Sequence, residues 1–152
     1  MIEPNDLKDW FNAVNALPLN KVNTTHKNTS ETVKDYLFIL LFTGLRPGEA
    51  INLTWGNIDF KNNLLSIEDT KNHERHTLPL TSFIMDILQL RKNKSLGSVV
   101  FPGYNPNKSL VNSNRQVKKV IENSGVQFLL HDLRRTFATY ADSLYIQHST
   151  IK

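Results

Sequence analysis

Arg46, Lys71, His131 and Arg134 are the residues of this sequence whose types and settings could do chemistry. His131 and Arg134 open the stretch "HDLRRTFATYADSLY". On a helix, their spacing of three puts them on one face with Arg135 and Ala138, while Leu133, Phe137, Tyr140 and Leu144 fall on the opposite face. A basic pair on a first turn runs against the helix dipole, which favours negative charge there. A bound anion would resolve that conflict, because free backbone N–H groups and both side chains could hold it. Arg46 lies in "LFTGLRPGEAINLTW", between two apolar segments, where a guanidinium costs stability unless something anionic meets it. Glu49, three residues on, is the internal candidate. Lys71 stands at the tip of "EDTKNHERHTL", where a strand turns back. The chemistry these types share is the gripping of an anion. Taken singly, each has a plainer reading as a surface residue or a structural ion pair.

The charge distribution points the same way. Met1 to Thr70 carries six Lys/Arg against nine Asp/Glu, and Lys71 to Lys152 carries twelve against five. Basic charge crowded into one half suits an anionic partner such as nucleic acid, the alternative being a solvated basic surface. With no cysteine there is neither a disulfide framework nor a thiolate zinc site, which fits a reducing cytoplasm. The longest apolar run, Tyr36 to Phe42, is the size of a buried helix segment rather than a membrane span. The opening "MIEPNDLKDW" lacks the layout of a secretion signal.

The elements that must position these residues can be read from periodicity. "NDLKDWFNAVNAL" has helical spacing and closes at Pro18; "LNKVNTTHKNTSE" is polar and reads as a loop. A second helix opens at Ser30 and runs through Leu37 and Leu41 to Gly44. Pro47 starts a short third helix ending near Leu53. "NIDFKNNLLSIED" predicts two short strands around Lys61-Asn62-Asn63, and "ERHTLPL" a third. Helices follow over "TSFIMDILQLRKN", with Ile84, Ile87, Leu88 and Arg91 in step, and over "NSNRQVKKVIENSG", with Val117, Val120 and Ile121 as its apolar face. The "HDLRR" helix is the last. The fold class is α+β, mainly α, in one domain over residues 1–152 with a small three-stranded antiparallel sheet.

"TGLRPGEAINLTWGNIDF", "TKNHERHTLPL" and "HDLRRTFATYADSL" resemble, in that order and spacing, the catalytic domain of the tyrosine recombinases, the phage integrase family. The likeness runs from about Thr43 to the C-terminus and implies a helical domain of the DNA breaking-rejoining type. It implies that Arg46 and Arg134 are the paired arginines that grip the scissile phosphate. Lys71 matches the strand-turn lysine that protonates the departing 5′-oxygen. His131 matches the histidine that assists proton transfer at the nucleophile. Glu49 matches an acidic residue supporting the first arginine. Arg135, Arg115, Lys118 and Lys119 are candidates for DNA-backbone contacts. The implied activity is site-specific recombination or integration through a 3′-phosphotyrosine, on double-stranded DNA, by a DNA-bound tetramer in the cytoplasm, with no metal or other cofactor.

The residue types suit that chemistry. Attack on a phosphodiester builds negative charge on the non-bridging oxygens, which two planar, permanently protonated guanidiniums can hold. A lysine among other cations can have its pKa lowered toward proton donation. The family's nucleophile is a tyrosine well past the second arginine, preceded by a further box with a His or Trp, and the sequence ends at "QHSTIK" before either is due. Tyr140 falls on the core face, Tyr145 lies a helical rise of about 16 Å beyond Arg134, and His148 comes too early for that box. A fragment is therefore expected, without the N-terminal DNA-clamping domain and the nucleophile segment, monomeric, binding duplex DNA weakly and not cleaving it. The alternatives are a DNA-binding relative that never cuts, a metal enzyme using His73 and His76 of "HERH", and a purely structural helical domain.

Overall fold

The computed structural model describes residues 1–19, 24–69 and 74–150, with residues 19, 24–28, 69 and 141–150 described by backbone alone. The order is α1 (Pro4–Asn15), a 3-10 turn (Leu17–Leu19), α2 (Thr24–Thr43), α3 (Pro47–Ile51), a second 3-10 turn (Trp55–Asn57), β1 (Ile58–Asp59), β2 (Leu64–Asp69), β3 (Glu74–Pro79), α4 (Ser82–Lys94), α5 (Asn114–Ser124) and α6 (Leu130–Thr150). The expected mainly helical α+β architecture is what forms.

The centre of the core is α2. Every residue from Tyr36 to Leu41 is buried, so this segment is apolar all round, as a helix enclosed by others must be. It packs against α6, α4, α3 and α1, and α5 lies against α1. Trp10 of α1 meets the edges of Phe38 and Phe128 with centroids 6.3 and 5.6 Å away, geometries that suit aromatic quadrupoles. Each fully buried leucine or isoleucine here contributes about 1.5–3 kcal/mol.

The sheet is antiparallel in the order β1-β2-β3, with Ser66 opposite Thr77 and Ile67 opposite His76. Its first turn is built by Asp59, whose carboxylate accepts from the backbone N–H groups of Lys61 and Asn62 at 3.1 and 3.0 Å. Asn63 closes the turn at φ 56°, a left-handed conformation that asparagine tolerates. Leu65 and the half-buried Leu78 pack with the core, while most of β3 is exposed. Lys71 and His73, between β2 and β3, lie outside the described residues.

Three local expectations differ from what forms. Helix α2 begins at Thr24, six residues before Ser30, inside the stretch read as a loop. Asn and Thr compete with helix through local hydrogen bonds, and packing of the continuous α2 core segment overrides that weak preference. The third helix stops at Ile51 rather than near Leu53. On α5 the most buried residues are Val120 and Gln116 rather than three aliphatics.

Candidate active site

The site forms where the end of α2, the start of α3 and the start of α6 meet. At the end of α2 the Thr43 hydroxyl donates to the Ile39 carbonyl at 2.6 Å and accepts from the Leu45 N–H at 3.3 Å. Between them Gly44 turns the chain at φ +70°. The Phe137 ring of α6 lies so close over Gly44 that a Cβ there would overlap it. Glycine is required for both reasons, and the outcome is that α6 presses directly against the α2–α3 connection.

Arg46 is the residue immediately before α3, with Pro47 in the first helical position, where a missing N–H costs nothing. The Pro47 carbonyl accepts from the buried Tyr36 hydroxyl at 3.1 Å. Burial pushes that phenol up to about 12, which suits an anchoring role rather than a reactive one. Glu49 reaches back to the Arg46 backbone N–H at 2.9 Å. The same carboxylate lies 3.7 Å from the Arg46 guanidinium and 3.9 Å from that of Arg134. Arg134 also donates to the Gly44 carbonyl at 3.1 Å. Two arginines 88 positions apart in the chain thus flank one carboxylate.

Those ion pairs are long for hydrogen bonds, and the side chains of Arg46 and Arg134 keep 63% and 42% of their exposure. Most of their N–H groups remain available to an incoming anion. Two guanidiniums against one carboxylate leave the spot net positive. His131 stands exposed on the first turn of α6, one turn before Arg134. Although Arg46 stands between two apolar segments of the sequence, its side chain is exposed, because Gly44 ends α2 and brings the chain to the surface before α3 begins.

The remaining candidates are distributed more widely. Arg135 faces Asp132 at 3.6 Å and is largely exposed. Arg115, Lys118 and Lys119 stand exposed on α5. Lys71 lies outside the described residues. Tyr140 is half-buried against the core, at a point where α6 leaves helical geometry (φ −118°, ψ 17°), and the side chains of Tyr145 and His148 lie outside the described residues. His76 sits on β3 opposite Ile67. Among the described residues no group of three or more His, Asp or Glu side chains is placed to hold a metal ion, and no helix is long and apolar enough to cross a membrane.

Sequence reasoning missed Gly44 as the seat of Arg134, having read it only as a helix stop, and it missed Asp132. The Asp132 carboxylate accepts from the Leu129 N–H at 2.7 Å, and this bond above all holds it below the usual carboxylate range, with the Met1 amino group and Arg135 adding to the effect. An acid three residues past the residue that precedes a helix is half of a capping box, so a signal was present.

A model of the phage integrase family matches residues 10–141. Prophage integrase IntF of Escherichia coli (strain K12) is 28% identical over 152 aligned residues, covering 93% of this chain and 29% of its own length. Tyrosine recombinase XerA of Saccharolobus solfataricus is also 28% identical, over 84% of this chain and 42% of its own length. Among solved structures, the XerH site-specific recombinase bound to difH substrate shares the fold, with a TM-score of 0.68 at 18% identity over 93% of this chain and 42% of that one. The chain spans about three-tenths of the length of the prophage integrase and about two-fifths of the XerA protein.

Proposed function

Because this chain belongs to the phage integrase family, we propose that its cationic site grips the scissile phosphate in site-specific DNA recombination through a 3′-phosphotyrosine. The observation that carries this reading is the Glu49 carboxylate lying 3.7 and 3.9 Å from the guanidiniums of Arg46 and Arg134. A carboxylate so placed holds two forks at one spot without consuming them. The proposed partner is double-stranded DNA; among the proteins of similar fold are the XerH recombinase bound to difH substrate and the Tn1549 integrase in complex with transposon right end DNA.

In the proposed step a tyrosine oxygen attacks phosphorus as the bond to the 5′-oxygen breaks. Arg46 and Arg134 hold the non-bridging oxygens, where negative charge grows most. His131 takes the tyrosine proton, and Lys71 gives one to the departing 5′-oxygen. Glu49 orients Arg46 and Arg134. Arg135, Arg115, Lys118 and Lys119 contact the backbone on either side, an electrostatic contribution without sequence preference. No step in this scheme calls for a metal ion or other cofactor. The recombining assembly is a DNA-bound tetramer, and the 152-residue chain alone is a monomer.

The test is binding of a labelled duplex by fluorescence anisotropy across a salt series. Arg46→Ala and Arg134→Ala are each expected to weaken binding about tenfold and to reduce the salt slope by about one phosphate contact. Binding by both variants equal to wild type overturns the assignment. A nicked suicide substrate should give no protein-linked band on a denaturing gel with these 152 residues: Tyr36 is buried, Tyr140 packs against the core, and the exposed Tyr104 lies between α4 and α5, outside the segments that bring Arg46 and Arg134 together. A band trapped through Tyr140 or Tyr145 would refute that part.

A further inference from the structure

Asp132 is an acid beside a site built to hold an anion, and the reaction proposed above gives it nothing to do. It is the third residue of α6, next to His131. Its carboxylate accepts from the Leu129 N–H at 2.7 Å, and its own N–H donates to the Leu129 carbonyl at 2.9 Å. Its other carboxylate oxygen lies 3.2 Å from the Met1 amino group and 3.6 Å from Arg135. The Asp132 carbonyl accepts from the Thr136 hydroxyl at 2.7 Å, and that fully buried hydroxyl accepts from the Ile2 N–H at 2.9 Å. The first turn of α6 is therefore fastened at its start and along its inner side.

The same device occurs on α3. Glu49 is likewise the third residue of its helix and reaches back to the N–H of the residue before it, Arg46, at 2.9 Å. Each helix that presents a proposed catalytic cation begins with an acid clasped to its own preceding backbone. Glu49 serves a guanidinium as well, which gives it a visible place in the site. The Asp132 carboxylate touches neither His131 nor Arg134, so its effect on them passes through the backbone.

We propose that Asp132 is a positioning residue, whose carboxylate fixes the first turn of α6 and thereby the directions of His131 and Arg134. This rests on the phosphate-gripping function proposed above and deepens it. The first four N–H groups of a helix lack helical partners, and losing a side-chain acceptor there lets the turn fray. Fraying would first displace His131 and then loosen the segment between it and the Arg134–Gly44 contact.

The sign of the effect on DNA binding separates positioning from charge. If Asp132 were only a surface carboxylate, removing it would raise the local positive charge and tighten binding of a polyanion. The proposal expects the opposite: Asp132→Ala should bind a labelled duplex about fivefold more weakly than wild type. Asp132→Asn keeps an acceptor oxygen without the charge and should bind at least as well as wild type. Asp86→Ala, which removes an exposed acid on α4, should not weaken binding. Asp132→Ala binding as tightly as wild type or tighter overturns the proposal, as does an equal loss in Asp132→Asn. Asp132→Ser, whose hydroxyl stops short of the Leu129 N–H, substitutes if the alanine variant does not fold. Arg134→Ala in the same series keeps the two questions apart. Failure of that variant to weaken binding counts against the phosphate site itself, whereas its loss alongside an unaffected Asp132→Ala counts against positioning alone.

Discussion

Two arginine corners of this molecule use the same side chain in opposite ways. At the first, Arg91 of α4 donates to Asp35 at 2.8 Å, to the Thr32 hydroxyl at 3.0 Å and to the Val100 carbonyl at 2.9 Å, with the Phe101 ring 5.4 Å from its guanidinium carbon. Its side chain is 14% exposed and that of Asp35 10%. At the second, Arg46 and Arg134 share one carboxylate at 3.7 and 3.9 Å; Arg46 is mostly in solvent, and Arg134, seated by one bond to the Gly44 carbonyl, is 42% exposed. A guanidinium with each of its nitrogens engaged at short range holds elements together, here α2, α4 and the segment after α4. A guanidinium held loosely at one edge keeps its fork for something else. The difference lies in how much of the donor inventory the protein spends on itself.

The largest effect expected from this contrast is on stability. Arg91→Ala leaves the Asp35 carboxylate without its main partner in a buried place and should cost about 3–5 kcal/mol, read from urea unfolding. Arg46→Ala removes an exposed pair and should change stability by less than about 1 kcal/mol. Comparable losses in the two variants would break the comparison.

A second substitution probes how the open corner is held in place. Gly44 combines φ +70° with the Phe137 ring against its Cα, and its carbonyl receives Arg134. Gly44→Ala should cost about 1–3 kcal/mol through backbone strain and overpacking. DNA affinity should fall with it, because Arg134 loses its seat. Phe137→Leu, which relieves the crowding in the alanine background, should recover part of the stability. Its failure to do so would mean that the left-handed turn alone carries the cost.

This contrast also marks what the sequence could reveal. The spacing of apolar residues identifies α1, α4, α5 and the three strands, because a helix stripe and a strand alternation are local properties. Arg46 and Arg134, which the structure brings to one carboxylate, stood out as candidates through motif order, and Glu49 through its spacing from Arg46. Arg91 appeared only as a residue in step with an apolar face; its partner Asp35 lies 56 residues away in the chain. Equally illegible was the meeting of Gly44 with Phe137, since nothing local in either segment announces the other. The polar start of α2 misled because Asn and Thr carry turn signals that a helix continuous with the core can outweigh.

The smallest effect expected concerns acid, and it has opposite signs at the two acidic residues involved. Asp132 is held below its ordinary value of 3.8, first by the Leu129 N–H bond. The unfolded chain therefore takes up its proton before the folded one, and stability falls as pH drops through the folded value. Burial raises Asp35 above the same ordinary value in spite of Arg91 and Lys34. Ionising that carboxylate works against folding, so its contribution declines as pH rises from 3.8 through the raised value. The stability difference between wild type and Asp132→Asn should accordingly be present at neutral pH and vanish below the folded value of Asp132. The penalty of Arg91→Ala should be greatest at neutral pH and shrink on mild acidification, as the orphaned Asp35 becomes protonated. Unfolding curves collected at a few pH values for the two variants decide the matter. An Arg91→Ala penalty that stays constant from neutral to mildly acidic pH would mean that the Arg91–Asp35 contact is not an ion pair in any energetic sense, and the contrast between the two corners would then reduce to exposure alone.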